Sequence, residues 1–233
     1  MIKFNFIKRM SASESHKIVT TKDGSHTLFN EQISEHYHST FGAIQESAHI
    51  FIQGALDRFR DKQSRVNILE IGFGTGLNAL LTMRWADKNG RQIHYHALEA
   101  YPISKKIAGS LNYFEKLHID QDLFLKFHQP ADVPFIISDN FTLEKEINTL
   151  ENVSFQKAKY NVIYFDAFSP DVQPELWSTD IFQKLFSAMK EGGILTTYSC
   201  KGIVKRAMKA AGFQIEKLPG PPGKREFLRG IKK

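Results

Sequence analysis

VNILEIGFGTGLN, residues 66–78, is an apolar run followed by three glycines at alternate positions. The Ile- and Val-rich run is typical of a buried strand, the glycines are typical of a tight turn, and Leu77 onward has the character of a helix start. Glycine lets the backbone approach a ligand closely, and the free N–H groups at a helix N-terminus favour an anionic group. The stretch therefore predicts a strand, a ligand-binding loop and a helix.

The glycine spacing distinguishes between classes of ligand. A dinucleotide fingerprint, G-x-G-x-x-G, has its third glycine one position later, where this chain has Leu77. No Lys-Ser or Lys-Thr pair follows the loop, which disfavours a phosphate-binding P-loop. The pattern E-x-G-x-G-x-G over residues 70–76 is similar to the first motif of S-adenosylmethionine-dependent methyltransferases. That resemblance implies that the helix N-terminus faces the carboxylate of the cofactor's methionine moiety.

An acidic residue at the end of the next strand supports a nucleoside cofactor. Residues 92–99 have the sequence QIHYHALE, a predicted strand that ends in Glu99. A carboxylate at this place can accept hydrogen bonds from both hydroxyls of a ribose. A purely structural turn is the alternative for the glycines alone, but their combination with Glu99 favours a cofactor site.

Composition restricts the class of protein. A chain of 233 residues, 42% of them hydrophobic, is sufficient for a globular core. It has no apolar run of membrane-spanning length and no signal peptide, so we expect a cytoplasmic protein with no membrane partner. Cys200 is the single cysteine, and the context of His26, His36 and His38 does not resemble a ligand set, so we expect neither a disulfide nor a metal.

The positive charge is concentrated at the C-terminus. The formal net charge is +6, yet residues 201–233 hold ten Lys or Arg against two Glu, so the preceding residues have a net charge of −2. Lys201, Lys205 and Lys209 recur with helical spacing, with Arg206 beside them. Two interpretations stay open: a solvated tail, or a basic surface that attracts a polyanion.

The chain is predicted to have two parts. Residues 1–62 form an N-terminal appendage, with a hairpin around Asp23-Gly24 and an amphipathic helix from about Gly42 to Lys62. This appendage is a candidate lid beside the cofactor loop. Residues 63–233 form the methyltransferase domain.

Strands and helices alternate from Val66 onward, which predicts a parallel sheet with helices on both faces. Predicted strands at 213–218 and 225–231 are joined by a link too short for a crossover helix, so they should run antiparallel. One reversed strand at the end of a parallel sheet distinguishes class I methyltransferases from dinucleotide-binding folds. The predicted fold is therefore α/β and Rossmann-like, with a mostly parallel seven-stranded sheet and an antiparallel last strand. Two further strand candidates, 134–138 and 141–147, compete with each other.

A predicted buried strand ends at Asp166 and is followed by Ala167-Phe168-Ser169-Pro170. This is the place expected nearest a transferred methyl group. An amine must be neutral to attack a sulfonium methyl in line, and a carboxylate can position the amine and take its proton. Phe168 can stack on a flat substrate such as a base. A capping Asp166 with Phe168 in the core is the structural alternative. The combination of acid and aromatic favours amine-directed methyl transfer.

Several groups of residues resemble the methyltransferase domain of the MnmC-type tRNA-modifying enzymes. They are EIGFGTGLN at 70–78, FDAFSP at 165–170 followed by PELW at 174–177, GKRE at 223–226, and in the N-terminal part Gly24-Ser25, Thr27-Leu28, Tyr37-His38-Ser39, Gly42-Ala43 and Glu46. The resemblance covers nearly the whole chain. It implies transfer of a methyl group from S-adenosylmethionine to the 5-aminomethyl group of 5-aminomethyl-2-thiouridine at the tRNA wobble position, giving 5-methylaminomethyl-2-thiouridine.

The resemblance also implies roles for individual residues. Asp166 is expected to hold the amine and Phe168 to lie near the base, both at the catalytic centre. Cofactor contacts are expected from Glu70, Gly72, Phe73, Gly74, Gly76, Asn78, Glu99, Ala100, Asp139 and Asp166. Substrate or tRNA contacts are expected from Tyr37, Ser169, Pro170, Lys201, Arg206, Lys224 and Arg225.

Two features depart from the family pattern. Bifunctional members continue into a flavin-dependent oxidase domain, whereas this sequence ends at Lys233, so we expect a stand-alone methyltransferase with a separate oxidase or other modification enzyme upstream. The acid that usually contacts the adenine has two candidate positions: Asp139, or Asn148 with an amide oxygen in its place. The sequence does not determine the oligomeric state.

Two other functions compete with tRNA methylation. An aminopropyltransferase shares the hairpin and the core, but its small polyamine substrate requires an acidic pocket and no basic tail. A non-catalytic RNA-binding protein on a methyltransferase core would not need intact Glu70, Glu99 and Asp166. Observed methyl transfer to tRNA would distinguish the tRNA methyltransferase from both alternatives.

Overall fold

The computed structural model describes residues 16–61, 65–129 and 133–233. Its strands are β1 (His16–Thr20), β2 (His26–Asn30), β3 (Glu35–His36), β4 (Val66–Ile71), β5 (Ile93–Glu99), β6 (Phe135–Ser138), β7 (Phe141–Ile147), β8 (Tyr160–Phe165), β9 (Met189–Thr197), β10 (Gln214–Pro219) and β11 (Glu226–Ile231). Its α-helices are α1 (Ala43–Ser47), α2 (Leu77–Asn89), α3 (Lys105–Ala108), α4 (Tyr113–Lys116), α5 (Gln121–Lys126), α6 (Thr179–Ala188) and α7 (Gly202–Ala210). A π-helical turn (Ala48–Gln53) and 3₁₀ turns (Leu56–Phe59, Pro174–Trp177) complete the helical segments.

Eight strands form the central sheet, in the order β10-β11-β9-β8-β4-β5-β7-β6. Strands β9, β8, β4, β5 and β7 run parallel, whereas β11 runs antiparallel to both β9 and β10. The predicted class I methyltransferase fold is therefore confirmed, including its reversed strand. In a sheet of this kind the carboxyl ends of the parallel strands share one edge, which is where such folds bind ligands.

The sheet has one strand more than predicted. β6 pairs antiparallel with β7 through a two-residue turn, Asp139-Asn140, so the competing candidates at 134–138 and 141–147 are both strands of one hairpin. Ile136 of β6 is 77% exposed. A short edge strand with an exposed apolar residue has no alternation of buried and polar positions, so the sequence pattern offered 134–138 as a candidate without including it in the seven-stranded sheet.

The two faces of the sheet have separate apolar cores. Successive residues of β4 point to opposite faces: Ile68 packs with Leu80 of α2, whereas Leu69 packs with Phe182 of α6 and Met208 of α7. All five side chains are fully buried. A central parallel strand covered on both faces has a nearly continuous apolar sequence, which explains why VNILEI was recognisable.

The N-terminal hairpin is attached to the central domain by Asn112. Strands β1 and β2 pair antiparallel around Asp23-Gly24, as predicted. Asn112 Oδ1 accepts a hydrogen bond from the His26 N–H at 2.8 Å, and Asn112 Nδ2 donates to the Gly24 carbonyl at 2.9 Å. The predicted division between residues 62 and 63 lies outside the described residues and stays a prediction.

The helix predicted from Gly42 to Lys62 is broken. α1 continues into the π-helical turn and then the first 3₁₀ turn, and Lys62 lies outside the described residues. A Cβ at Gly54 would lie 2.8 Å from the Phe227 ring, so β11 packs directly on this backbone. The Gly54 carbonyl accepts a hydrogen bond from Arg229 Nη1 at 3.0 Å instead of continuing an α-helical ladder.

Candidate active site

A cleft of about 390 Å³ opens where β4, β5, β7 and β8 end. It is lined by the glycine loop after β4, by the ends of β5 and β8, and by the N-terminal segment 35–41. Of the residues predicted for the site, the structure brings the following into the cleft: Tyr37, Gly72, Phe73, Gly74, Glu99, Ala100, Asp166, Phe168 and Lys224.

Two glycines in the loop make contacts that a side chain would prevent. Gly72 has a φ of 86°, and a Cβ there would lie 2.6 Å from the carbonyl oxygen of Asp166. Gly74 has a φ of 48°, and a Cβ there would lie 3.0 Å from the Tyr37 ring. Both positions therefore require glycine, for backbone conformation and for space. The loop joins β4 closely to the end of β8 and to the N-terminal segment.

The Glu99 carboxylate is held by backbone N–H groups on both oxygens. The Gly74 N–H donates to Oε2 and the Tyr101 N–H donates to Oε1, each at 2.8 Å. Burial raises the pKa of Glu99, and the backbone donors oppose this effect because they stabilise the charged form. The acid predicted from the end of β5 thus lies against the glycine loop in a fixed orientation.

Asn78 joins the half-buried Asp166 of the cleft to the buried acid Glu70 behind the loop. Its Nδ2 donates to Glu70 Oε1 at 2.9 Å and to Asp166 Oδ2 at 2.8 Å. Glu70 is fully buried, and this burial raises its pKa well above the ordinary value. Glu70, Gly76 and Asn78 do not line the cleft. Glu70 and Asn78 therefore support Asp166 from behind the cleft lining, and the predicted cofactor contacts of Glu70, Gly76 and Asn78 stay predictions.

Asp166 has the ionisation behaviour of an acid–base group. Burial raises the pKa of Asp166 to about 7, and the nearby charge of Glu46 acts in the same direction. The hydrogen bond from Asn78 and the charge of Lys224 act in the opposite direction, because both favour the carboxylate. A carboxyl group with a pKa near 7 can accept and release a proton at neutral pH.

Phe168 and Tyr37 form the aromatic part of the cleft. Their ring centroids lie 5.1 Å apart, edge to face. The loop carrying Phe168 is fixed by Trp177 Nε1, which donates to the Phe168 carbonyl at 2.9 Å. Phe168 is therefore a cleft residue and not a core residue.

Ser169 and Pro170, predicted as substrate contacts, do not line the cleft: Ser169 Oγ donates to Glu35 Oε1 at 2.5 Å, and Pro170 is buried.

The N-terminal segment contributes cleft residues that the sequence patterns did not identify as site residues. His38 is buried, and its Nε2 lies 2.7 Å from Thr75 Oγ1 of the glycine loop. Burial lowers the pKa of His38 to about 4, so the imidazole is neutral at pH 7. Glu46 of α1 is also buried, and its Oε1 lies 2.9 Å from Lys224 Nζ. Local patterns could not indicate these contacts, since His38 and Thr75 are 37 positions apart.

The cations predicted to face tRNA lie in different environments. Lys224 lies inside the cleft, with Nζ 4.2 Å from the centre of the Tyr198 ring, and its predicted contact with substrate or tRNA stays a prediction. Arg206 and Arg225 are exposed outside the cleft lining. Lys201 follows β9, at the cleft edge of the sheet, and forms an ion pair with Asp171.

The structure decides between Asp139 and Asn148. Asp139 lies in the turn that precedes β7, and β7 runs parallel to β5, so this residue is at the sheet edge opposite the cleft. The prediction of Asp139 as a cofactor contact is therefore wrong. Asn148 follows the carboxyl end of β7, donates its N–H to the Glu99 carbonyl at 3.2 Å, and lines the cleft.

Within residues 16–61, 65–129 and 133–233, no group of three or more His, Cys, Asp or Glu residues is arranged to hold a metal ion. No helix in the described part of the chain has the length and apolar character needed to cross a membrane.

The sequence is similar to those of known methyltransferases and tRNA-modification proteins. A family model described as S-adenosyl-L-methionine-dependent methyltransferase matches residues 131–233. The tRNA 5-methylaminomethyl-2-thiouridine biosynthesis bifunctional protein MnmC of Burkholderia multivorans is 32% identical over 218 residues, covering 88% of this chain and 33% of that protein. The protein of the same name from Leptospira interrogans is 30% identical over 222 residues, with the same coverage of 88% and 33%. The chain thus spans about a third of the length of these relatives.

Two solved structures share the fold. MnmC2 from Aquifex aeolicus has a TM-score of 0.75 at 22% identity, over 100% of this chain and 76% of that chain. Spermidine synthase from Thermotoga maritima has a TM-score of 0.56 at 15% identity, over 93% of this chain and 68% of that chain. Both likenesses concern the fold.

The reversed-strand sheet and the glycine loop define the class I methyltransferase fold, and residues 131–233 match a family of S-adenosyl-L-methionine-dependent methyltransferases, which supports S-adenosylmethionine as the cofactor. Within that class, the chain is related to the MnmC-type proteins along most of its length, which confirms the resemblance found in its motifs.

Proposed function

We propose that this protein transfers a methyl group from S-adenosylmethionine to the primary amine of 5-aminomethyl-2-thiouridine at the tRNA wobble position, giving 5-methylaminomethyl-2-thiouridine. The observation that carries the proposal is Asp166, a cleft acid whose pKa is raised to about 7, beside the aromatic pair of Phe168 and Tyr37. The names of the MnmC relatives support the substrate. Because the chain spans about a third of those relatives, the proposal concerns methyl transfer alone.

The cleft residues fit S-adenosylmethionine. The loop at Gly72 and Gly74 presents backbone without side chains, and the fixed Glu99 carboxylate is suited to accept hydrogen bonds from ribose hydroxyls. Asn148, at the end of the neighbouring strand, has an amide oxygen suited to the amino group of adenine. The cofactor supplies an electrophilic methyl group on a positively charged sulfur. Asp166 and the other cleft acids favour a positive charge at this place.

Residues of the chain prepare the amine for attack. The lone pair of a neutral amine forms the N–C bond while the S–C bond breaks and its electrons remain on sulfur. The product nitrogen then has a proton to lose, and the Asp166 carboxylate accepts it because its pKa is close to neutral pH. The flat thiouracil ring would pack against Phe168 and Tyr37, which restricts the angle of approach.

The exposed cations provide the proposed tRNA surface. Arg206 on α7 and Arg225 after β10 are exposed, and the segment 201–233 has a net charge of +8 from ten basic and two acidic residues. Lys201 contributes at the cleft edge of the sheet. This surface would bind phosphates around the cleft while the wobble base enters it. We expect such an enzyme in the cytoplasm, downstream of an enzyme that installs the aminomethyl group, since methyl transfer does not create it.

A second candidate is aminopropyl transfer to a small amine. The acids of the cleft favour it, because a polyamine is a cation, and the lining includes Glu35, Glu46, Glu99 and Asp166. The fold likeness to spermidine synthase is compatible with it. The basic surface outside the cleft has no role in this candidate.

Methyl-labelled S-adenosylmethionine distinguishes the candidates. We expect label in 5-methylaminomethyl-2-thiouridine after incubation with tRNA that carries the aminomethyl group, detected by mass spectrometry of the digested nucleosides. The matched controls are tRNA lacking the aminomethyl group, which should remain unlabelled, and the Asp166→Asn variant, which should lose most of the label. Transfer from decarboxylated S-adenosylmethionine to a polyamine, with no label in tRNA, would support the second candidate and refute the first.

A further inference from the structure

We propose that the ion pair of Lys224 and Glu46 sets the protonation of the reacting amine: the ammonium of Lys224 disfavours a second positive charge in the cleft, and Glu46 limits that effect. The inference deepens the proposed amine methylation and rests on it. Both side chains act through the charge that they place near the amine and Asp166, so both are positioning residues.

The pair is fixed inside the cleft. Lys224 Nζ lies 2.9 Å from Glu46 Oε1 and 4.2 Å from the centre of the Tyr198 ring. Glu46 is 7% exposed, and its second oxygen, Oε2, accepts a hydrogen bond from the Ser39 N–H at 2.7 Å. Tyr198 is held in turn, because its hydroxyl donates to the Ala167 carbonyl at 2.9 Å, next to Asp166. Each charge thus has a second contact that keeps it in place.

Charged groups reach the cleft from several elements. The acids are Glu35 from β3, Glu46 from α1, Glu99 from β5 and Asp166 from the end of β8, with Glu70 of β4 behind them. Lys224 is the one Lys or Arg among the described residues that line this cleft. Burial raises the pKa of Tyr37, Tyr101 and Tyr198 and lowers that of His38, so these four lining groups are neutral at pH 7, and His36 of β3 is the other histidine in the lining. Removing Lys224 therefore leaves the acids with no Lys or Arg in the described lining.

The two members of the pair act in opposite directions. Glu46 raises the pKa of Asp166 and Lys224 lowers it. A substrate ammonium beside Asp166 responds with the same signs, since a nearby positive charge disfavours its charged form and a negative charge favours it. Transfer requires a neutral amine and an ionised Asp166. Lys224 therefore extends transfer to lower pH, and Glu46 restricts it to higher pH.

Isosteric variants test these signs. We expect Lys224→Met to shift the acid limb of the pH dependence of kcat/KM upward by roughly one pH unit, and Glu46→Gln to shift it downward by a similar amount. The double variant should return close to the wild-type midpoint. Lys217→Met is the matched control, because Lys217 pairs with Glu226 at 2.7 Å on the same hairpin, outside the cleft lining, and should produce no shift.

A titration of Asp166 by carboxyl ¹³C NMR provides a readout without turnover. Using Asp166→Asn for assignment, we expect the midpoint of Asp166 to rise in Lys224→Met and to fall in Glu46→Gln. If Glu46→Gln does not fold, Glu46→Asp, which withdraws the carboxylate, should give a smaller downward shift. If the wild type methylates tRNA but the two variants shift the Asp166 midpoint in the same direction, or leave it unchanged, the inference about the ion pair is overturned and the proposed function stands. A wild type with no transfer to tRNA refutes the proposed function, while the NMR midpoints still test the pair.

Discussion

One amide, the Nδ2 of Asn78, donates to Asp166 Oδ2 at 2.8 Å and to Glu70 Oε1 at 2.9 Å, so a neutral side chain separates the half-buried Asp166 from the fully buried Glu70. We expect Asn78→Asp to raise the pKa of Asp166, because it replaces the donor with a third carboxyl group. Methyl transfer at pH 7 should then fall by at least about tenfold. The measurement is the pH dependence of kcat/KM, whose acid limb should move to higher pH.

Asn78→Ala separates the hydrogen bond from the charge. It removes the donor without adding an acid, so its acid limb should lie between those of the wild type and Asn78→Asp. Identical profiles for the three proteins would contradict the role assigned to this amide.

Asp166→Asn should retain cofactor binding and lose most methyl transfer. The amide keeps the shape and can accept from Asn78, but it cannot take the proton of the amine, so turnover should fall by roughly 100-fold or more. Calorimetric titration with S-adenosylmethionine and the labelled tRNA assay measure the two properties separately. Turnover at the wild-type rate would exclude Asp166 as the proton acceptor.

The same substitution has a stability effect whose size depends on pH. The pKa of Asp166 is raised in the folded protein to about 7 from its ordinary value of 3.8, so the folded state holds this proton more tightly and loses stability as pH rises from about 4 to 7. We therefore expect Asp166→Asn to unfold at a higher temperature than the wild type at pH 8. The difference should diminish as pH approaches 4. Thermal melts across this range measure it, and a difference independent of pH would contradict the buried, protonated state.

Gly72→Ala should destabilise the protein and weaken cofactor binding. Its Cβ would lie 2.6 Å from the Asp166 carbonyl oxygen at a φ of 86°. Gly90→Ala is the matched control, because Gly90 also has a positive φ, 58°, but nothing within 4 Å of the added Cβ. Urea unfolding should show a cost of about 1 kcal/mol for Gly90→Ala from the backbone alone, and a larger cost for Gly72→Ala. Equal costs would mean that the loop moves away from β8 without penalty.

The exposed cations should control the salt dependence of tRNA binding. We expect Arg206→Gln and Arg225→Gln each to reduce the slope of log Kd against log salt by roughly 0.7 to 0.9, if each contacts one phosphate. Arg84→Gln is the control, since Arg84 is exposed on α2, outside the cleft lining. Filter binding across a range of salt concentrations provides the slopes, and a wild-type slope near zero would argue against this surface.

Local sequence was sufficient for those site residues that follow directly from a strand. Glu99 and Asp166 end or follow apolar runs, and parallel strands that end at one edge bring such residues together. Asp139 shows the limit of this reasoning. Both halves of the β6–β7 hairpin are β-prone, and only the pairing register reveals that Asp139 is at the wrong edge.

The contacts of Lys224 depended on tertiary structure. Its motif indicated a functional position, but a basic residue in a basic C-terminal segment has the pattern of a surface phosphate contact. Its partner Glu46 lies in the N-terminal segment, far away in sequence, and the two meet only because α1 and the β10–β11 link both border the cleft. The same holds for His38 and Thr75.

The sequence by itself determined the class of fold, the glycine loop and the acids at the ends of β5 and β8, because hydrophobic periodicity and glycine spacing are properties of neighbouring residues. Tertiary structure alone decided which cations enter the cleft, which of Asp139 and Asn148 lines it, and how the pKa of Asp166 is raised. Those properties depend on burial and on charges from distant segments, because the free energy of a charged group is determined by its desolvation and by the charges and dipoles near it in the folded structure.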